Sequence, residues 1–370
     1  MTNNKDKKVL NVPNLRFPEF TDKWEAGKLE EYILLVSGQD LSSEQYTDKE
    51  DVYPYITGAS SLNSEGIILN RWTHTPTQIV KRGDILLVCK GSGVGQLTVL
   101  SNVDKAHIAR QIMGIRAKNT ESQLFIYHYL SRLMTELKKR STGIIPGIDR
   151  KSILSLHISI PSLQEQQKVA ELLSLIEQRI ITQNKIIEKL QSLIKGITIL
   201  LATKGEPNTT IAQCLECHSS TLQENEVSHS GLYKVFGANG LLGYTDMPQM
   251  NGDSILIIKD GSGVGTVFYA QGEFSVIGTL NYLTAISNYD LRYLYFVLSV
   301  FNFQSYKTGM AIPHIYFKDY GNAKIYCPPL SEQKRIANVL GKLESKLCLE
   351  QNILASFNLQ KQYLLGQMFI

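Results

Sequence analysis

A chain of 370 residues with 43% hydrophobic and 19% charged side chains has an ordinary globular composition and the length for more than one domain. No apolar run spans a membrane, the opening MTNNKDKKVLNVPN lacks a signal-peptide core, and five cysteines without framework spacing fit a reducing compartment, so a cytoplasmic protein is expected. The net charge of +4 alone argues for no nucleic-acid partner, and it is uneven: residues 1–160 hold 21 cations and 17 anions, residues 204–328 hold 7 and 10.

Residues 1–14 are expected to form a flexible tail. Residues 15–160 read as a first mixed α/β domain. It opens on an amphipathic stretch with Phe17, Phe20, Trp24 and Leu29, followed by a strand and turn at VYPYITGAS, 52–60. KRGDILLVCKGSGVGQLTVL, 81–100, reads as two strands joined by a glycine-rich loop. Residues 122–140 have helical spacing and a basic last turn suited to the helix dipole. Residues 141–161 then form a turn-rich loop and a short strand.

From Pro161 to Thr203 the pattern is one long helix, with Ser162 and Glu165 forming an S-x-x-E capping box. Apolar residues recur at alternating steps of four and three through Val169, Leu173, Ile176, Ile180, the polar break Gln183, Ile187, Leu190, Ile194, Ile197 and Leu201. That heptad seam requires a partner helix. A neighbouring stripe of Leu172, Ile186, Leu193 and Leu200 predicts a buried face wider than two helices need.

The remainder repeats this plan. In residues 204–328, LYKVFGANG answers the first strand and turn, and GSGVG recurs unchanged at 261–265. A helix is predicted over 290–306, and Thr308-Gly309 with Ile312-Pro313 answers Thr142-Gly143 with Ile145-Pro146. Residues 329–370 form the second long helix, in which Leu330, Glu332, Gln333 and Ala337 stand 167 positions after Leu163, Glu165, Gln166 and Ala170. Its seam runs through Leu340, Leu343, Leu347, Glu350, Leu354, Phe357 and Leu364. If the helices pack antiparallel, the polar breaks Gln183 and Glu350 meet near the middle and set the register. The expected fold is therefore α+β: two tandem α/β domains separated by two long antiparallel helices, with an internal pseudo-twofold repeat.

Several motifs could carry chemistry. Neither GSGVG loop is followed by the helix that a Walker or dinucleotide loop needs, so each is either a hairpin turn or a bare backbone made to approach a nucleic-acid backbone. Their recurrence favours the second reading, with Gly58, Lys90, Gly91, Ser92, Gly93 and Gly95 in one copy and Asn239, Lys259, Gly261, Ser262, Gly263 and Gly265 in the other. Thr142, Gly143 and Pro146, like Thr308, Gly309 and His314, fall at one relative place on a turn-rich rim. Cys214, Cys217 and His218 match a haem-attachment spacing by coincidence, and no metal is assigned. Cys327-Pro328-Pro329-Leu330 lacks the acid and the aromatic of an amino-methyltransferase motif and reads as prolines opening a helix. Glu332-x-Lys334 resembles half of a nuclease motif but has no acidic set before it.

LRFPEF with Trp24, two copies of GSGVG, two of TG…IP and two EQ pairs opening long helices resemble the specificity subunit of type I restriction–modification systems, over nearly the whole chain. The resemblance implies a non-catalytic DNA-reading subunit in which each domain reads one half of a split, asymmetric target. It implies two modification subunits, holding S-adenosylmethionine and docked on the helices, and two restriction subunits using ATP and Mg. No cofactor is implied for this chain. Two departures are the net acidic second domain and a second EQ helix without the serine cap. A coiled-coil adaptor whose α/β domains bind protein is the alternative, and a self-sufficient enzyme is a third reading.

Overall fold

A computed structural model describes residues 11–63, 66–91, 93–140 and 147–370, with the side chains of 136–140 outside that description. Ser92, Thr142, Gly143 and Pro146 therefore lie outside the described residues. The chain divides into two compact units, residues 1–184 with 353–370, and residues 185–352. Each unit holds one mixed domain and a part of both long helices, so the division cuts across the helices.

In the first unit an antiparallel sheet runs Ile33–Ser37, Ile112–Ala117, Ile85–Val88, Leu97–Val99. A second sheet runs Trp72–Thr73, Tyr53–Ile56, Lys105–Ile108, Ile79–Lys81, with 53–56 and 105–108 parallel. The strand Ile85–Val88 is buried on both faces and accordingly reads as an unbroken apolar run. Helix α1, Gln123–Arg140, covers the first sheet, and His157–Ile160 pairs with Glu25–Lys28 before helix α2, Leu163–Ala202.

The second unit has the same strand order. One sheet runs Leu215–Ser219, Leu280–Ala285, Ser254–Ile258, Val267–Ala270, and the other Gly240–Thr245, Tyr233–Gly237, Glu273–Val276, Met250–Asn251. Thr209–Thr210 pairs with Lys324–Ile325, in the role of the 25–28/157–160 pair. Helix α3 spans only Leu291–Ser299, shorter than the 290–306 expected. Asn302 stops it by accepting the amide of Gln304 (3.0 Å), which opens a separate 3₁₀ turn over Phe303–Tyr306. Helix α4 is Leu330–Gln367.

In both units the paired helix segments are antiparallel. In the first, Glu177 pairs with Lys361 (2.6 Å), while Leu364, Leu365, Met368 and Phe369 join a core with Trp24, Phe125, Leu173 and Ile176. In the second, Lys204 pairs with Glu332 (3.1 Å), and Ile197 and Leu201 lie on a core containing Ile336, Ala337 and Leu340. The other seam positions Ile187, Gln183 and Glu350 are buried, and Ile180, Leu190, Ile194, Leu343, Leu347, Leu354 and Phe357 are half-buried. Glu350 receives Lys346 one turn before it. The neighbouring stripe departs from expectation: Leu172 is half-buried, but Ile186, Leu193 and Leu200 are exposed. Among the described residues nothing covers them.

The EQ pairs acquire a physical meaning. Gln166 Oε1 accepts the Ser122 amide (2.9 Å) and its Nε2 donates to the Pro161 carbonyl (3.0 Å). Gln333 repeats this with the Asp290 amide (2.9 Å) and the Pro328 carbonyl (2.8 Å). Each buried amide thus fastens a long helix to the start of the shorter helix of its own domain. Glu165 does not complete the expected capping box. Its amide donates to Ser162 Oγ, which acts as the cap (3.4 Å), but its carboxylate is taken by Arg16 and Trp24.

His128 on α1 is fully buried, with Nε2 3.1 Å from Ser174 Oγ and Nδ1 3.9 Å from Glu177, itself paired with Lys361. Burial pushes its pKa down to about 4, against the opposing pull of Glu177. The unfolded chain therefore takes up this proton near 6.5 while the folded chain refuses it until about 4. Stability from this group is full above the unfolded value and is lost as pH falls through that window, by about 3 kcal/mol. We predict that His128→Gln flattens the fall in unfolding free energy between those pH values. An unchanged slope in denaturant titrations would refute the assignment.

Candidate nucleic-acid interface

Both GSGVG loops are tight hairpin turns built alike. Gly91 and Gly261 have φ of 86° and 97°, and Gly95 and Gly265 have φ of 81° and 89°, where side chains are strained. The amide of Val94 donates to Gly91 (3.2 Å) and that of Gly95 to Val88 (2.9 Å), matched by Val264 to Gly261 (3.1 Å) and Gly265 to Ile258 (2.9 Å). The structural reading of these glycines thus holds. What distinguishes the loops is what gathers beside them.

In the first domain the loop lies against the turn at Gly58. A Cβ on Gly93 would collide with Ala59, and one on Gly58 would come 2.6 Å from Gln111 Oε1. The amide of Cys89 donates to the Gln111 carbonyl (2.8 Å), and Ile148 donates to the Cys89 carbonyl (2.8 Å), bringing Gly147 alongside the Lys90 stem. Arg110 stands exposed in the crossing between the two sheets, its Nε 2.8 Å from Asp40. Arg150 donates to the Leu35 carbonyl (2.8 Å). Lys90 is exposed, and none of these ion pairs engages it. Gln111 escapes a reading by motif, because only the strand crossing brings it against Gly58 and Gly91.

In the second domain Lys259 donates its amide to the Thr279 carbonyl (3.0 Å), as Cys89 does to Gln111. This fixes the correspondence: Lys259 occupies the place of Cys89, and Lys90 corresponds to Asp260. Lys259 Nζ lies 2.9 Å from the Asp260 carboxylate, so charge at the second loop is largely internal. The shift of 170 between the loops already aligns CKGSGVG with KDGSGVG. Gly261 donates to the Pro313 carbonyl (2.9 Å) and Ile315 to the Lys259 carbonyl (2.9 Å), so Thr308, Gly309 and His314 do gather at this loop, with Ser262 exposed beside them. Asn239 is set apart, at the exposed turn before Gly240 (φ 98°), and joins none of these hydrogen bonds.

The amides, cations, glutamine and rings at these loops suit binding. Of the cysteine and histidine spacing noted earlier, Cys214 Sγ faces Cys327 Sγ at 3.9 Å, and His218 stacks on Tyr282 and bonds Thr284 (3.0 Å). Among the described residues no cluster of three His, Cys, Asp or Glu side chains is placed to hold a metal, and no helix is long and apolar enough to cross a membrane.

Each unit also carries a groove on its long helix. One, of about 280 Å³, is lined by Ala170, Glu171, Ser174, Leu175 and Gln178 with Ser122 and Leu124. The other, of about 410 Å³, is lined by Ala337, Asn338, Gly341, Lys342 and Ser345, the same five positions 167 residues on, with Asp253, Tyr269 and Arg292.

Residues 21–192 and 214–358 match the family described as type I restriction modification DNA specificity domain. The chain is 28% identical over 204 residues to the type I restriction enzyme MjaVIII specificity subunit of Methanocaldococcus jannaschii, spanning 54% of this chain and 46% of that protein. It is 24% identical over 116 residues to the Escherichia coli EcoprrI specificity subunit, 31% of this chain and 29% of that protein. The matches thus span less than half the length of these relatives. Among solved structures, the S subunit of a type I restriction–modification system from M. genitalium superposes with a TM-score of 0.69 at 18% identity, covering 97% of this chain and 99% of that one. A chain from a study of assembly and conformational transition in a type I system gives 0.55 at 15% identity, covering 93% and 97%.

Proposed function

The chain belongs to the family of type I restriction modification DNA specificity domains, and from that membership we propose that it reads a split, asymmetric DNA site, one half with each α/β domain. The observation that carries this reading is one architecture built twice with different chemistry at equivalent places, Lys90 in one copy and Asp260 in the other. A lysine can neutralise a phosphate while a carboxylate cannot, so the two copies would not contact the duplex alike.

The recurring helix grooves suit two copies of one partner, and the exposed Ile186, Leu193 and Leu200 give its helices an apolar surface to complete a bundle. We assign these surfaces to two modification subunits, which would hold S-adenosylmethionine, with two restriction subunits using ATP and Mg beyond them. This chain would contribute recognition without bond-making.

Methylation-aware sequencing of the host genome, with and without this chain, tests the proposal: a bipartite methylated site should vanish with it. A gel shift by the assembled complex that shows no preference between duplexes would instead favour a protein-binding adaptor. At finer grain, Lys90→Ala should weaken binding of the methylated site's duplex and reduce the salt slope by about one. Lys259→Ala should do less, because Asp260 already holds its charge. Equal affinity and slope for Lys90→Ala would remove that lysine from the interface.

A further inference from the structure

The hairpin from Thr308 to His314 is pinned at every level except its tip. Thr308 and His314 exchange both main-chain hydrogen bonds (2.9 and 2.8 Å), and Gly309 turns the chain at φ 88°, where a Cβ would collide with the Ile312 carbonyl. The hairpin base is joined to the GSGVG loop through Pro313 and Ile315. Yet Met310 is fully exposed (105%) and Ile312 mostly so (66%). Single exposed apolar residues need no explanation, but two large ones on the point of a braced hairpin do. Beside them Tyr316 is exposed with the Lys318 ammonium 5.2 Å over its ring, an aromatic–cation pair suited to bases and phosphates. The pattern TG, apolar residues, P stands at the same place in the first half of the sequence, as Thr142-Gly143-Ile144-Ile145-Pro146.

Charge indicates what the tip meets. Residues 204–328 hold 7 cations against 10 anions, and Lys259 is held by Asp260, so phosphate attraction can supply little of this domain's hold on DNA. The remainder must come from contacts that do not draw on charge. Resting on the reading of this domain as a DNA reader, we propose that the 308–314 hairpin is an apolar finger. Met310 and Ile312 seat against the base edges or between base steps of the duplex, as apolar side chains do in grooves.

The test uses the complex assembled with its modification subunits and a duplex carrying the site methylated in a chain-dependent way. The double variant Met310→Ser, Ile312→Ser should bind about tenfold or more weakly, from two apolar side chains lost to the interface. The slope of log affinity against log salt should not change, since no cation is removed. Both side chains stand in water, so the unfolding midpoint should stay put, and Met310→Leu, which keeps the tip apolar, should bind normally. Affinity of the double variant within about twofold of the parent, or a loss accompanied by a shallower salt slope, would overturn the finger. If the parent complex cannot tell the site from a random duplex, the DNA-reading function itself fails. If the parent discriminates and the double variant does so equally well, only the finger fails.

Discussion

Arg16→Met should destabilise the first unit by about 3–5 kcal/mol, because it strands a buried carboxylate without its counter-charge. Glu165 is 1% exposed, and Arg16 reaches it through Nε and Nη2, both at 2.7 Å, with Trp24 Nε1 adding a bond at 3.2 Å. Without Arg16 the carboxylate keeps only the indole and the positive end of α2. The reverse change, Glu165→Gln, should cost less. The Arg16 side chain is 14% exposed and can turn its guanidinium to water, and glutamine can still accept from Trp24. The double change Arg16→Met, Glu165→Leu should recover most of the loss, since a packed apolar pair often matches a buried ion pair. Denaturant titration of the three variants decides this. Single changes within about 1 kcal/mol of the parent would mean that the pair is no more than a surface contact.

That prediction could not have been drawn from the sequence, where Glu165 reads as the end of a capping box. Arg16 is 149 residues away in the chain, and only folding sets it against the helix start. Periodicity, by contrast, is local and legible: the heptad seam predicts 161–203 and 329–370, and the helices run Leu163–Ala202 and Leu330–Gln367. The GSGVG hairpins were equally readable, because a glycine at positive φ between strands is a local necessity. The surroundings of those hairpins were not. Gln111 comes to the first loop through strand order, whereas the counterpart of Lys90, Asp260, was legible in the repeat itself. The second helix stripe shows the same limit from the other side, since spacing marks Leu193 and Leu200 as apolar without showing what covers them.

Exchanging residues 204–328 for the corresponding segment of a related chain with a different target should change one half of the methylated site and leave the other half and the gap untouched. The first half is expected to persist because Lys90, Arg110, Gln111 and Arg150 all stay in the first unit. The gap is expected to persist because the exchange leaves both long helices, Leu163–Ala202 and Leu330–Gln367, unaltered. The graft must respect the seat it enters. Ile211, Ile325 and Cys327 pack with Ile336, Ala337 and Leu340 of α4, the Asp290 amide meets Gln333, and Arg292 pairs with Glu344 while lying 4.1 Å over the Tyr269 ring. A donor keeping those side chains should assemble as the parent does, whereas one lacking them should lose folding before specificity. Methylation mapping of hosts carrying the exchanged chain reads the outcome base by base. A change in both halves, or in the gap, would mean that the two domains do not read independently. Any account resting on two separate readers would then have to be abandoned.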